Sequence, residues 1–337
     1  MEGFLSIAFR LLVNLESLNS VETVGNLVRH RTAPIITGQN GSYSIRFVPA
    51  ISGESLAHGY QSYLVEEAKK RKLPLSPYSE RGEFLKFTDE KLLNEAHISI
   101  PKNEMAIRRA EVQVMLKDYV CDVGGFLYAG TYPIKRTSTF QIGYMLPAVF
   151  ETEAAALESQ FQVRYASSSM KKYQQPYNVE VGSAVYTFTF NLDISRISVP
   201  STEFGDMNKE EEDKLAKQRD TRVVGALSAL AQFLTQFQCG AKRSRFLPNI
   251  EPLSAIAAYS PNTSFIVSPG NSKKFISESV KRAQTFSTVM KKLQGSVTIS
   301  TLAFDKEDAT EGVEGVEVTK TPEEFVSKLV DIAMKRG

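Results

Sequence analysis

The chain is predicted to be an α+β protein on a modified ferredoxin-like core, because its strongest periodic segments run strand, helix, strand, strand, helix, strand. Two further observations shape that core. An irregular block follows the first helix, and a polar arm separates the two middle strands. The expected division is a core of residues 1–72, 141–164 and 180–337, an inserted helical lobe over 73–140, and a protruding β-hairpin arm over 165–179.

The first strand, about 3–16, alternates Ile7, Phe9, Leu11, Val13 and Leu15 against Arg10, Leu12 and Asn14. A basic loop (26–36) and a short strand pair around 43–50 follow. Ser52 reads as the N-cap of a helix over about 53–72, where Leu56, Tyr60, Leu64 and Ala68 fall at helical spacing. The lobe carries a charged helix near 102–118 and a Gly-, Thr- and Ser-rich stretch. A strand at 158–166 sets Phe161, Val163 and Tyr165 on one face, and the second middle strand spans 179–194. Over 208–237 a charged half-helix continues into Val223, Leu227, Leu230, Leu234 and Phe237, spaced as a buried stripe. A strand (251–259), a basic helix (273–292), a strand (296–304) and a closing helix (322–335) complete the chain.

Of the 337 residues, 42% are hydrophobic and 23% charged, the balance of a soluble globular protein. No apolar run is long enough to span a membrane. Glu2 and Arg10 interrupt the apolar opening, which reads as a strand and not a signal peptide. Cys121 and Cys239 stand far apart, as do His30, His58 and His97, so neither a disulfide framework nor a zinc site is expected. That usage fits a cytoplasmic protein without cofactor or metal. Phosphate-loop and dinucleotide fingerprints and a serine nucleophile elbow are all missing, and Glu16, Glu22, Asp118 and Asp122 make no recognised nuclease motif. The expectation is a non-enzyme.

The formal charge of +2 is unevenly spread. Residues 305–337 hold nine acids and five bases, which leaves +6 on the rest, and 203–213 packs six acids against one lysine. Four acid-free tracts (123–150, 159–179, 221–250 and 279–304) carry bases and point to a surface that meets a polyanion. Within them, Gly240 precedes Lys242, Arg243, Ser244 and Arg245, a turn that suits a phosphate cradle or a solvated basic loop. Ser52 and Gly53 open a helix, which is an anion site or an ordinary cap. Arg29, His30 and Arg31, and Lys135 with Arg136, sit beside hydroxyl residues and suit sugar–phosphate contacts or plain exposure. Arg164, Lys171 and Lys172 interleave with Tyr165, Tyr173 and Tyr177 along the arm, as single-strand binders require.

LLVNLESLNSVETVGNLVRHRTAPI, VPAISGESLAHGYQ, VMLKDYVCDVGGFLYAG and GAKRSRFLP, in that order, resemble the Cascade backbone subunits of archaeal type I-A CRISPR systems, the DevR-like family of the RAMP superfamily. The likeness runs from about residue 3 to 260, with the tail matching loosely. It implies a modified RNA-recognition (RRM) core with a finger-like lobe over 73–140 and a thumb over 165–179. It also implies a right-handed filament of head-to-tail copies along CRISPR RNA, with bases left open to pair with a target DNA strand. Handle-capping, small and large subunits and a helicase-nuclease are the implied partners. The RNA groove would draw on Asn14, Arg29, His30, Ser52, Gly53, Arg164, Lys242, Arg243, Ser244 and Arg245. Gln162 stands where the family pattern has histidine, and that position is assigned no role. An endoribonuclease of the same superfamily and a general single-stranded RNA-binding protein are the competing readings.

Overall fold

In the computed structural model, described for residues 1–39, 41–148, 155–163, 176–240, 242–295 and 297–334, strand β1 (Phe4–Glu16) is the centre of the molecule. It pairs antiparallel with β11 (Pro176–Asp193) on one side and β12 (Asn249–Ser260) on the other, and β11 pairs antiparallel with β10 (Ala155–Val163). The core order β12-β1-β11-β10 is that of a ferredoxin-like sheet in which every neighbour is antiparallel. The expected fold class is the observed one.

Alternation along these strands makes two faces. Leu5, Ile7, Phe9, Leu11 and Val13 of β1 join Tyr186, Phe188, Phe190 and Leu192 of β11 under helices α1 (Gly53–Arg71), α6 (Lys209–Gln236) and α8 (Pro322–Met334). Edge-to-face rings lock this layer: Tyr60 of α1 sits 5.0 Å from Phe190 and 6.2 Å from Phe233 of α6. Gly59 lets α1 approach closely, since a Cβ there would stand 2.7 Å from Cβ of Cys239. On the other face, Ala8, Ile256, Ala258 and Ala303 pack beneath α7 (Phe275–Gln294). Ser6 and Arg10 of that face are fully buried, and Arg10 donates to Glu307 at 2.8 Å and to the Gly270 carbonyl at 2.9 Å. Strands β13 (Ser300–Asp305) and β14 (Glu317–Thr319) extend the sheet beyond β12.

Residues 26–36, expected as a loop, instead form β3 (Leu27–His30) and the start of β4 (Thr32–Gln39). β3 pairs with β2 (Ser20–Val24) and with β11, while β4 makes a hairpin with β5 (Ser42–Pro49). The apolar side chains Ile36, Tyr43, Ile45 and Phe47 of that hairpin are all exposed. Leu15 also departs from the expected alternation. The β1 register breaks after Val13, Leu15 takes a left-handed φ of 53°, and its side chain turns outward while Glu16 turns in.

The irregular block holds α2 (Pro77–Glu80), α3 (Glu90–Glu95), α4 (Ile107–Lys117), α5 (Tyr119–Gly124) and the ribbon of β6 (Phe126–Tyr128) and β7 (Ile134–Arg136) around its own apolar cluster. Short strands β8 (Phe140–Ile142) and β9 (Leu146–Pro147) return the chain to β11. The block is joined to α6 by a buried ionic knot. The Asp122 carboxylate accepts from Arg136 and Arg222 at 2.7 Å each, and Arg136 also reaches Glu111 at 3.3 Å and three backbone carbonyls. Burial works to raise the Asp122 pKa, but the two guanidiniums prevail and hold it below the usual carboxylate value. Arg136 is therefore a structural cation, not the surface contact expected of it. Its partner in that motif, Lys135, is exposed on β7.

Asp122→Ala strands two guanidiniums in the interior and is expected to cost about 3–5 kcal/mol. Chemical denaturation compared with the wild type reads this directly, and a change inside 1 kcal/mol (below the ~3 expected) would contradict the knot.

Candidate nucleic-acid interface

At one end of the sheet β1 finishes, β11 and β12 begin, α1 begins and α6 ends. Short polar connections hold these ends together. The Glu16 carboxylate is fully buried; it accepts from the Tyr186 hydroxyl at 2.8 Å and the Leu18 N–H at 2.8 Å. Nε2 of His30 lies 2.6 Å from the same carboxylate, and Nδ1 lies 2.7 Å from the Arg31 carbonyl. The His30 N–H donates to Glu180 at 2.8 Å. Asn19 then receives the Ser52 N–H on its side chain at 2.8 Å and the Arg31 N–H on its carbonyl at 2.9 Å.

Burial depresses the His30 pKa, but the hydrogen bond and charge of Glu16 outweigh it and the imidazole is raised above its ordinary 6.5. His30, expected on the surface, is an internal strut. Ser52 is likewise spent locally: it is buried, and its hydroxyl caps α1 by accepting from the Ser55 N–H at 3.2 Å. The capping reading is the one the geometry favours for its acceptor lone pair.

The 240–246 loop hangs on the same end. Gly240 has φ +80°, and a Cβ there would lie 2.6 Å from the Leu18 carbonyl, so only glycine allows the close pass. Lys242 follows at φ 56°, and its carbonyl receives the N–H groups of Arg245 and Phe246 at 3.1 and 3.0 Å. Arg243 folds back and donates to the Phe237 and Cys239 carbonyls, closing the C-terminal end of α6. It is thereby removed from the expected cradle. Lys242, Ser244 and Arg245 instead line a hollow of about 170 Å³ with Tyr177, Val179 and Phe246. Arg245 donates to the Tyr177 hydroxyl at 2.9 Å. Nζ of Lys242 is buried without a hydrogen-bond partner among the described residues, and burial, then Arg245, lower its pKa.

A second, wider hollow of about 610 Å³ opens between the start of α1 and the irregular block. Gly53 forms part of its wall, where a Cβ would meet the Ile142 carbonyl at 2.9 Å. Arg31 reaches in, donating to the Tyr144 hydroxyl at 3.3 Å, and Lys86 donates to the Gly124 carbonyl at 2.9 Å. Sequence gave no signal for Lys86, which lies in the irregular block. Asn14 and Arg29 are exposed on this end of the sheet, with Asn14 opposite Asn249. Arg164, Lys171 and Lys172 lie outside the described residues, as does most of the arm. Lys135 lies on β7 of the irregular block and not at this end. Among the described residues no group of three His, Cys, Asp or Glu could hold a metal ion, and no helix is long and apolar enough to cross a membrane.

The family model described as "CRISPR-associated negative auto-regulator DevR/Csa2" matches residues 7–280. The chain belongs to the DevR/Csa2 family. One Saccharolobus solfataricus relative, "CRISPR-associated aCascade subunit Cas7/Csa2 2", is 43% identical over 326 residues, which cover 96% of this chain and 99% of that protein. A second from the same organism, "CRISPR-associated protein Cas7/Csa2 1", is 37% identical over 282 residues, 81% of this chain and 84% of its own length. A solved chain of a "CRISPR RNA-guided surveillance complex, pre-nicking" superposes with a TM-score of 0.52 at 11% identity, covering 98% of this chain and all of that one. That likeness is one of fold. The family read from the sequence segments is thus borne out, and this DevR/Csa2 chain carries the family's ferredoxin-like core.

The Glu16–His30 pair gives this DevR/Csa2 protein a definite pH response. Because the folded His30 pKa is raised, its contribution is complete below 6.5 and is lost as pH climbs through the folded value. Denaturation midpoints measured from about pH 5 to 9 are expected to fall with rising pH more steeply in the wild type than in His30→Gln.

Proposed function

We propose that this chain is the guide-RNA-binding backbone subunit of a type I-A Cascade-like interference complex, and that it holds RNA without cutting it. The observation that carries this reading is the Lys242 hollow: an ammonium buried with no hydrogen-bond partner among the described residues, beside a guanidinium and a hydroxyl, is completed by an anion the size of a phosphate. Arg31, Gly53 and the exposed Arg29 and Asn14 lie at the same end of the sheet, so a ribose-phosphate strand passing there meets several grips in turn. Arg164, together with Lys171, Lys172 and Tyr177 of the thumb, belongs to that path in this reading. Backbone grips leave base edges free, which a guide needs if it is to pair with any target DNA strand.

The 43% identity, spread over nearly the whole of a protein named as an aCascade subunit, supports the assembly context. Within it, copies of this chain follow one another head to tail, with handle-capping, small and large subunits and a helicase-nuclease as neighbours. The endoribonuclease reading is disfavoured by His30, whose two ring nitrogens face Glu16 and the Arg31 carbonyl inside the protein. A general base must reach the proton it removes.

Single-stranded RNAs of unrelated sequence are expected to lose affinity equally on Lys242→Ala or Arg245→Ala, each lowering the slope of log K against log salt by about 1. A loss confined to certain sequences would refute the phosphate cradle. Arg243→Ala is expected to act on stability instead, costing about 1–3 kcal/mol in a denaturation curve. Labelled repeat RNA incubated with the purified protein is expected to stay intact; site-specific cleavage would overturn the non-catalytic reading.

A further inference from the structure

Two exposed features that the RNA path does not use complement one another. The first is the turn before α6. The Asp206 N–H donates to the Met105 carbonyl at 2.7 Å, and Gly205, at φ +118°, passes close over the same carbonyl. This turn brings the Phe204, Met207 and Met105 segments together, and those side chains are 61%, 65% and 49% exposed. Around them stand acids. Glu211 and Glu212 are engaged by Arg109 and Arg108, but Glu203, Asp206, Glu210 and Asp213 are exposed and make no ion pair among the described residues. The feature is an apolar knob in an acidic collar.

The second feature is a hollow of about 590 Å³ between α7 and residues 264–266. Phe265, Ile266, Phe286 and Val289 make its apolar walls, and Lys281 and Arg282 stand on its rim. Arg282 is fixed there, donating to the Ser268 hydroxyl at 2.9 Å with its guanidinium 5.5 Å over the Phe265 ring. Exposed Lys291 and Lys292 continue the positive edge along α7, and neither they nor Lys281 make an ion pair among the described residues.

Within one molecule the two cannot meet, because α6 packs on one face of the sheet and α7 on the other. A knob and a hollow on opposite faces can only be joined between copies, and such a contact is heterologous, so it runs head to tail from copy to copy. We propose that the acidic knob at 203–210 seats in the α7 hollow of the next copy and sets the head-to-tail contact. This inference rests on the backbone-subunit reading for its setting, since copies held on one strand meet at high effective concentration and need only a modest contact.

The test uses the full chain on single-stranded RNAs of graded length, from one copy's footprint to several. Reversing the knob (Glu203→Lys, Asp206→Lys, Glu210→Lys) is expected to lower the cooperativity of binding to long RNA by about tenfold and to spare binding to the shortest RNA. Reversing the hollow's edge (Lys281→Glu, Lys291→Glu, Lys292→Glu) is expected to do the same, and a chain with both reversals to recover. Unchanged cooperativity in both single reversals, with wild-type binding intact, overturns the contact and leaves the RNA-binding reading standing. Weaker short-RNA binding by the α7 variant also overturns it, since α7 would then face RNA. A Phe204→Cys, Ile266→Cys chain supplies an independent readout, because the native Cys121 and Cys239 are buried. Oxidation is expected to link copies into ladders at high protein concentration even without RNA; absence of any ladder removes the proposal.

Discussion

A single buried carboxylate organises one end of the central sheet. Glu16 is drawn inward by the break in β1, and its oxygens gather a hydroxyl from β11, an N–H from the following turn and an imidazole from β3. An unpartnered charge at that depth would be untenable, so each of these groups is held where Glu16 needs it. The turn so fixed presents Leu18 to Gly240 and Asn19 to Ser52 and Arg31. Three loops distant in sequence are thereby registered against one another before any ligand arrives.

The protein handles positive charge in two opposite ways. Arg10, Arg136 and Arg222 are fully enclosed and matched by carboxylates and carbonyls, and they fasten layers together. Lys242 and Arg31 line hollows with one donor each that no described residue satisfies, and Arg245 stands beside Lys242. The first group buys rigidity. The second group leaves hydrogen-bonding capacity for something outside the chain, and it clusters at the end that Glu16 organises.

Much of the fold was legible because the core elements are long and periodic. Ser52 as a cap, the stripe from Val223 to Phe237 and the alternation in β1 each express burial on one face, which is what periodicity reports. The second strand of the β4–β5 hairpin was legible in the alternation of Tyr43, Ile45 and Phe47 with polar neighbours, but β4, part of which was read as a basic loop, was not. The site was read in part. The run from Lys242 to Arg245 marked the right loop, yet nothing in four adjacent polar residues says which one turns back onto a helix end, and Arg243 does. Arg136 and His30 misled for a related reason: a charged side chain looks the same in sequence whether it meets water or a buried carboxylate such as Asp122 or Glu16. Only the packing of α5, α6 and β11 decides.

The helix lying across the second face of the sheet has a further bearing. With α7 and the segment before it seated over Ser6, Ala8 and Arg10, the flat platform on which small sheet domains lay out aromatic rings of a ligand is roofed over. Any ligand of this molecule is thus excluded from that face and left with the rim of the sheet and the outer surfaces of its helices.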